Sequence, residues 1–106
     1  MQNQKMNKWD VETNPKTLRR LGKLVEELAE LSNVAGRCII QGIDSVDPAS
    51  QKLNRRRLEE EVADVITQIT LIKDHFKLDG AFIDARIIKK TREMGEWESY
   101  FENEDK

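Results

Sequence analysis

Apolar residues recur every three or four positions in three segments of this chain, and that spacing limits its fold more than any other feature. No segment alternates apolar and polar residues over a useful length, as a half-buried strand would. We therefore predict an all-α fold. Helices are expected over residues 15–40, from a start between residues 48 and 54 to about residue 77, and from about residue 81 towards residues 97–100.

Residues that favour turns separate these segments. Asn14 and Pro15 supply a capping side chain and a first-turn proline for the first helix, which is expected to end before Gly42. Residues that favour turns follow over positions 42–48. The first helix is expected to form its core contact through one apolar stripe: Leu18, Leu21, Leu24/Val25, Leu28, Leu31 and Ala35.

The length of 106 residues predicts a single domain, with residues 1–13 and 102–106 possible flexible ends. A chain of this size builds only a modest core. With 38% hydrophobic residues, it would gain stability by burying more of its surface against a second copy. We therefore expect a helical bundle completed by homo-oligomerisation, as a dimer or a tetramer.

The net charge and the cysteine count limit the partners and the cellular compartment that we expect. The formal net charge of −2 gives no overall attraction to nucleic acid or to an anionic membrane, so neither partner is expected, although the basic run Arg55-Arg56-Arg57 can contact phosphates. Cys38 is the single cysteine, which excludes an internal disulfide and fits a reducing cytoplasm. No apolar run approaches the roughly 20 residues of a membrane span. We expect a cytoplasmic protein.

Two pairs of carboxylates at helical spacing are the main chemical signal. Positions i and i+3 lie on one side of a helix, so Glu27 pairs with Glu30 in the first helix and Glu61 with Asp64 in the second. Apolar residues bracket both pairs. Converging carboxylates in a partly buried groove repel each other and lose hydration unless protons or a cation neutralise them. We expect a hard divalent cation, Mg²⁺, held by these four acids.

An ordinary helix surface is the competing interpretation, since 36% of the residues are charged. The acids would then be solvated or would pair with cations such as Arg37 or Lys73, contributing about 0–1 kcal/mol each. The chain would be a non-catalytic helical interaction module.

The two motifs resemble the signature of the MazG-like family of all-α nucleoside triphosphate pyrophosphohydrolases. That signature is E-E-x-x-E followed by E-x-x-D on the next helix, and it stands here as Glu26-Glu27-Leu28-Ala29-Glu30 and Glu61-Val62-Ala63-Asp64. The resemblance covers roughly residues 9–97. It matches Glu27, Glu30, Glu61 and Asp64 to the family's metal ligands and Glu26 to an accessory acid. The 30-residue gap between the motifs is long for the family, which implies an extended loop around residues 44–50.

The resemblance implies an enzyme that cleaves a nucleoside or deoxynucleoside triphosphate to the monophosphate and pyrophosphate with Mg²⁺, for which Mn²⁺ can substitute. Glu26 or Glu30 would accept the proton of the attacking water, and the sequence does not separate that role from metal ligation. Phosphoribosyl-ATP is an alternative substrate within the same fold.

We expect basic side chains to contact the phosphates of the substrate, and aromatic or amide side chains to contact its nucleoside. Lys89, Lys90 and Arg92 are the expected phosphate contacts, although Met94 stands where the family commonly has an asparagine. The alternative for these cations is a solvated helix end that suits the helix dipole. Trp9 is a candidate for stacking on the base, and Asn33 for a polar contact with the ligand; plain packing and solvent exposure are the alternatives.

Overall fold

The computed structural model describes residues 9–104 of the chain. These residues contain three α-helices: α1 (Pro15–Gln41), α2 (Asn54–His75) and α3 (Gly80–Ser99). The predicted all-α class is confirmed for this part of the chain, and the helix ends agree with expectation to within about two residues. The flexibility predicted at the two termini falls in part on residues 1–8 and 105–106, which lie outside the described residues.

Side chains placed at the helix ends fix where α1 and α3 begin. The Asn14 Oδ1 atom accepts hydrogen bonds from the backbone N–H groups of Lys16 and Thr17, both at 3.0 Å. These donors have no partner inside the helix, so the asparagine satisfies them. Asp79 does the same for α3, since its Oδ1 accepts from the Phe82 N–H at 3.0 Å.

The loop between α1 and α2 is held by its own hydrogen bonds. Gly42 ends α1 with φ at +100°, and its N–H donates to the Cys38 carbonyl at 2.9 Å. The Ser45 carbonyl accepts from the Asn54 N–H at 2.9 Å. An isolated antiparallel bridge joins Val46 to Leu53, and it is the one β-type pairing among residues 9–104. The two helices are therefore connected by an ordered turn.

The chain divides into two compact units, one ending at Ile72 and one beginning at Lys73. In the first unit, α1 and the greater part of α2 form a helical hairpin. Val34 of α1 and Val65 of α2 are its buried apolar residues. The buried polar residues of the unit are Glu27, Asp47 and Asn54. Polar groups therefore occupy much of the interior of this hairpin.

The apolar stripe predicted as the core contact of α1 is largely exposed. Leu18, Leu21, Val25 and Leu28 keep 49%, 40%, 64% and 44% of their surface accessible. The prediction that this stripe forms the core is therefore wrong for these four residues, whereas Leu24, Leu31 and Ala35 are half-buried. Its physical reason is that α1 meets α2 through the opposite face, the one that carries Glu27 and Val34. Periodicity identifies an apolar face but not the surface that covers it.

The second unit contains the end of α2, a short turn and α3. Lys77 adopts a φ of +54° at the end of α2, and the Leu78 N–H donates to the Lys73 carbonyl at 3.0 Å. Within this unit, the rings of Trp97 and Phe101 meet edge-on with centroids 5.1 Å apart. Across residues 9–104, no helix combines the length and the apolar character that crossing a lipid bilayer requires.

Candidate functional site

The two acidic motifs lie on the faces through which α1 and α2 meet. On α1, Glu27 shares its side of the helix with Val34, seven residues later, so the carboxylate points towards α2. On α2, Glu61, Asp64 and Gln68 follow each other at intervals of three and four residues on one side. The hairpin therefore brings the two motifs together, as the spacing predicted.

Carboxylate oxygens from both helices converge around Glu27. One oxygen each from Glu27, Glu61 and Asp64 lie within 4.8 Å of one another. Glu27 also belongs to a second group, with Glu26 and Glu30 of α1, whose oxygens meet the same limit. We call these five residues the carboxylate cluster. The structure thus unites three of the four predicted metal ligands directly and connects the fourth, Glu30, through Glu27.

Burial makes the carboxylate cluster electrostatically costly. Glu27 is only 7% exposed. Its one ion pair within the described chain joins Oε2 to Lys23 Nζ at 3.3 Å. Burial raises the pKa of Glu61 above its ordinary value, and the negative charges of Glu30, Asp64 and Glu27 raise it further. More negative charge is therefore gathered here than the neighbouring cations of residues 9–104 neutralise.

The donor set fits a hard divalent cation. Mg²⁺ prefers carboxylate oxygens, keeps several water molecules and is commonly held by few protein ligands together with the phosphates of a substrate. Glu27, Glu61 and Asp64 supply such oxygens from two helices, and a cation between them would replace repulsion by attraction. These three residues are the ones that would hold the ion, with Glu30 and Glu26 beside them.

A polar cleft of about 340 Å³ adjoins the carboxylate cluster on the side of the interhelical loop. Glu30 and Glu61 belong to both the cluster and the cleft. Asn33 lines it too, so the predicted ligand contact lies beside the predicted metal ligands. Two cations also face this space, Lys52 from the loop and Arg57 from the first turn of α2. Arg57 belongs to the basic run that the sequence suggested for phosphate contacts.

Arg57 forms an ion pair with a buried acid of the loop. Its Nη1 atom lies 3.7 Å from Asp47 Oδ2, and the two side chains are 17% and 4% exposed. The Ser50 N–H donates to Asp47 Oδ2 at 2.8 Å, and Gln41 Nε2 donates to Oδ1 at 3.0 Å. The hydrogen bonds from Ser50, then that from Gln41 and the charge of Arg57, lower the pKa of Asp47 from 3.8 to about 2. The loop therefore positions one wall of the cleft.

A second cleft, of about 320 Å³, lies on the opposite side of the carboxylate cluster. Four cations of α1 line it: Lys16, Arg19, Arg20 and Lys23. From α2 it receives the side chains of Gln68 and Leu71. These cations were not among the predicted site residues, although their spacing of i, i+3, i+4 and i+7 places them on one helix face and was available as a signal.

The remaining predicted contacts belong to other segments of the chain. Lys89 and Lys90 are in the second unit, where each pairs with Glu93 of the same helix, at 3.9 and 3.3 Å. Arg92 is exposed on the same helix. Trp9 is 86% exposed in the segment before α1. Their assignment to substrate binding stays a prediction.

Comparison with known proteins gives no match: no protein family, no curated protein and no solved structure matches this chain. The resemblance to the MazG-like pyrophosphohydrolases is therefore carried by the two acidic motifs alone.

Proposed function

We propose that this protein is a Mg²⁺-dependent nucleotide pyrophosphohydrolase, which cleaves a nucleoside or deoxynucleoside triphosphate to the monophosphate and pyrophosphate. The observation that carries the proposal is the meeting of Glu27, Glu61 and Asp64 from two helices around a buried carboxylate. The order and spacing of the two motifs, which resemble the MazG-like signature, support the same reaction.

The reaction joins one water to the triphosphate. The oxygen of the water forms a bond to the α-phosphorus, and the bond from this phosphorus to the bridging oxygen breaks. The electron pair of the broken bond leaves with pyrophosphate. Mg²⁺, when bound, neutralises phosphate charge and favours deprotonation of the water.

Side chains of the protein would orient the water and the substrate and would accept the proton of the water. Glu30 reaches both the carboxylate cluster and the cleft on the side of the loop, and Glu26 lies next to it on the exposed side of α1. Either carboxylate is suited to accept the proton of the attacking water. Asn33 offers both a donor and an acceptor to the nucleoside part of the substrate.

Pyrophosphate release is the experiment that tests this function. A panel of canonical and modified nucleoside and deoxynucleoside triphosphates, with phosphoribosyl-ATP included, would be incubated with the protein in Mg²⁺, in Mn²⁺ and in EDTA. We expect release with the metals and none in EDTA. Glu61→Gln should reduce the rate at least about 100-fold, equivalent to about 2.7 kcal/mol of transition-state stabilisation.

Glu59→Gln is the matched control for that variant. Glu59 is exposed on the same helix and pairs with Arg56 at 3.2 Å, so the change removes the same charge away from the cluster. Glu59→Gln should keep the wild-type rate. Folded protein that releases no pyrophosphate from any substrate, and that Mg²⁺ does not stabilise against heat, would contradict the proposal and favour a non-catalytic interaction module.

We further propose that a second copy of the chain covers the exposed apolar stripe of α1, so that the enzyme is a homo-oligomer with a dimer as its smallest unit. Leu18, Leu21, Val25 and Leu28 lie on one side of α1, away from the face that meets α2. At 25 cal/mol per Å², leaving such a stripe in water forgoes roughly 1–2 kcal/mol for each side chain.

Light scattering of the purified protein tests this assembly. Wild-type protein should have at least twice the mass of one chain. Val25→Lys should shift it to the monomer, because a charge would be buried in the interface. Val11→Lys adds the same charge at an exposed residue outside the helices and should leave the mass unchanged. A monomeric wild-type protein would contradict the assembly.

A further inference from the structure

We propose that the cleft lined by Lys16, Arg19, Arg20 and Lys23, here called the basic face of α1, binds the terminal phosphates of the substrate. This inference rests on the proposed function and specifies where the polyphosphate chain lies. The basic face and the α1 residues of the carboxylate cluster are parts of one helix surface, because these residues, from Lys16 to Glu30, occupy about 120° of arc.

Three of the four cations of the basic face have no anionic partner in the part of the chain that the structure describes. Among these described residues, no acid lines the cleft. Lys16, Arg19 and Arg20 form no ion pair within residues 9–104, whereas Lys23 pairs with Glu26 at 2.5 Å and Glu27 at 3.3 Å. A bound polyanion would therefore meet three uncompensated positive charges.

The placement of these charges is unfavourable for the helix itself. The positive end of the helix dipole lies at the N-terminus and favours acids there, yet the first turn of α1 contains no acid. Like charges three and four residues apart also destabilise a helix, by about 0.2–0.5 kcal/mol a pair. Lys16 lies in the first turn and incurs both costs, whereas Arg19 and Arg20, in the second turn, share only the repulsion. Binding of phosphate oxygens would remove them.

The axial spacing fits a triphosphate. A helix rises 1.5 Å per residue, so Lys23 lies about 6 Å and Arg20 about 10 Å along the axis from Glu27. With the α-phosphate at the carboxylate cluster, the β- and γ-phosphates would extend towards these two side chains. The planar guanidinium of arginine matches the geometry of phosphate oxygens. Positive charge there would stabilise the pyrophosphate as it leaves.

The same arrangement determines the orientation in which the substrate would bind. The basic face lies on one side of the carboxylate cluster, and the cleft that contains Asn33 lies on the other. Phosphates on the basic side place the nucleoside on the side of Asn33 and the interhelical loop. All of these groups belong to the first unit of the chain, unlike the cations of α3.

Binding of inorganic tripolyphosphate tests the basic face without any hydrolysis. Calorimetric titration in EDTA would compare the wild type with Arg19→Gln/Arg20→Gln. The control is Arg37→Gln/Lys77→Gln, which removes the same two charges at exposed positions outside the cleft. We expect the first pair to weaken binding at least about tenfold, since each charge-assisted hydrogen bond contributes more than a neutral one. The control should change affinity less than about twofold.

Thermal unfolding of the same variants separates a loss of binding from a loss of fold. Arg19→Gln/Arg20→Gln should unfold at or above the wild-type temperature, because the substitutions remove repulsion near the start of α1. Equal weakening of tripolyphosphate binding by the control would mean that net charge alone acts, and would overturn the proposal. Tighter binding of duplex DNA than of tripolyphosphate, at equal phosphate concentration, would also overturn it.

Kinetics distinguishes the failure of this inference from the failure of the proposed function. If hydrolysis requires Glu61 but Arg19→Gln/Arg20→Gln keeps both the wild-type KM and the wild-type affinity for tripolyphosphate, the function stands and the basic face is not its phosphate site. If no nucleotide is hydrolysed but tripolyphosphate binding is lost in that variant alone, the anion site stands and the function falls.

Discussion

The ammonium group of Lys23 lies 3.3 Å from the carboxylate of Glu27, one helical turn further along α1. This contact joins the basic face to the carboxylate cluster. Hydrogen bonds from Lys23 to Glu26 and then to Glu27 raise the pKa of the lysine. In the metal-free protein, Lys23 thus supplies the positive charge that Mg²⁺ would supply under the proposed function.

Lys23 and Mg²⁺ should therefore compete for Glu27. In EDTA, Lys23→Gln is expected to lower the melting temperature, because the cluster loses its cation. Added Mg²⁺ should then stabilise the variant more than it stabilises the wild type. Differential scanning fluorimetry over a series of Mg²⁺ concentrations measures both effects. Lys77→Gln, which removes an exposed lysine paired with Asp74, is the control, and equal Mg²⁺ responses in all three proteins would contradict the competition.

Removal of one negative charge from the carboxylate cluster should stabilise the metal-free protein. Glu61→Gln keeps the shape of the side chain and relieves the repulsion from Glu27, Glu30 and Asp64. At pH 7 in EDTA its melting temperature should exceed that of the wild type, and in Mg²⁺ this order should reverse. Glu59→Gln should show neither change. A variant that is less stable than the wild type in EDTA would mean that Glu61 is not under electrostatic strain.

The loop that supports Arg57 should lose stability in acid. Because folding lowers the pKa of Asp47 from 3.8 to about 2, its carboxylate stabilises the fold fully above pH 3.8, and this contribution disappears as the pH falls through about 2. Urea unfolding at several pH values should show Asp47→Asn less stable than the wild type at pH 6, with the difference vanishing near pH 2. Asp84→Asn controls for the loss of a charge. A difference in stability between Asp47→Asn and the wild type that persists at pH 2 would not come from the ionisation of Asp47.

The buried side chain of Asn54 should be essential for the turn between α1 and α2. Asn54 has no exposed surface, and its Nδ2 donates to Gln41 Oε1 and to the Gly42 carbonyl, both at 3.0 Å. Asn54→Ala leaves these two acceptors without a donor and should lower the free energy of unfolding by about 1–3 kcal/mol. Asn103→Ala removes the same atoms from an exposed position and should change it by less than about 0.5 kcal/mol.

An Asn54→Ala variant that loses no stability would contradict this prediction. If urea unfolding finds the two asparagine variants equally stable, Gln41 and Gly42 must regain partners from water, and the turn does not depend on this side chain. A normal stability combined with faster hydrogen exchange in the loop would lead to the same conclusion.

Local signals in the sequence were sufficient for the helices and for the placement of each acidic motif on one side of its helix. The spacing of apolar residues, the cap at Asn14 and the glycine at position 42 act through the backbone of their own segment, so they need no knowledge of the rest of the chain. The positions of Glu27, Glu61 and Asp64 on their helices follow from the helical repeat alone. Their convergence also required that these faces of the two helices meet in the hairpin.

The tertiary structure decided which faces of the helices meet. The apolar stripe with Leu21 and Val25 was the expected core, but α1 turns its Glu27 face to α2 and leaves that stripe exposed. The same choice forms the basic face, buries Asp47 beneath Arg57 and creates the two clefts that flank the carboxylate cluster. The physical reason is that helical periodicity describes one helix at a time, whereas burial and charge repulsion depend on the surface that each helix meets.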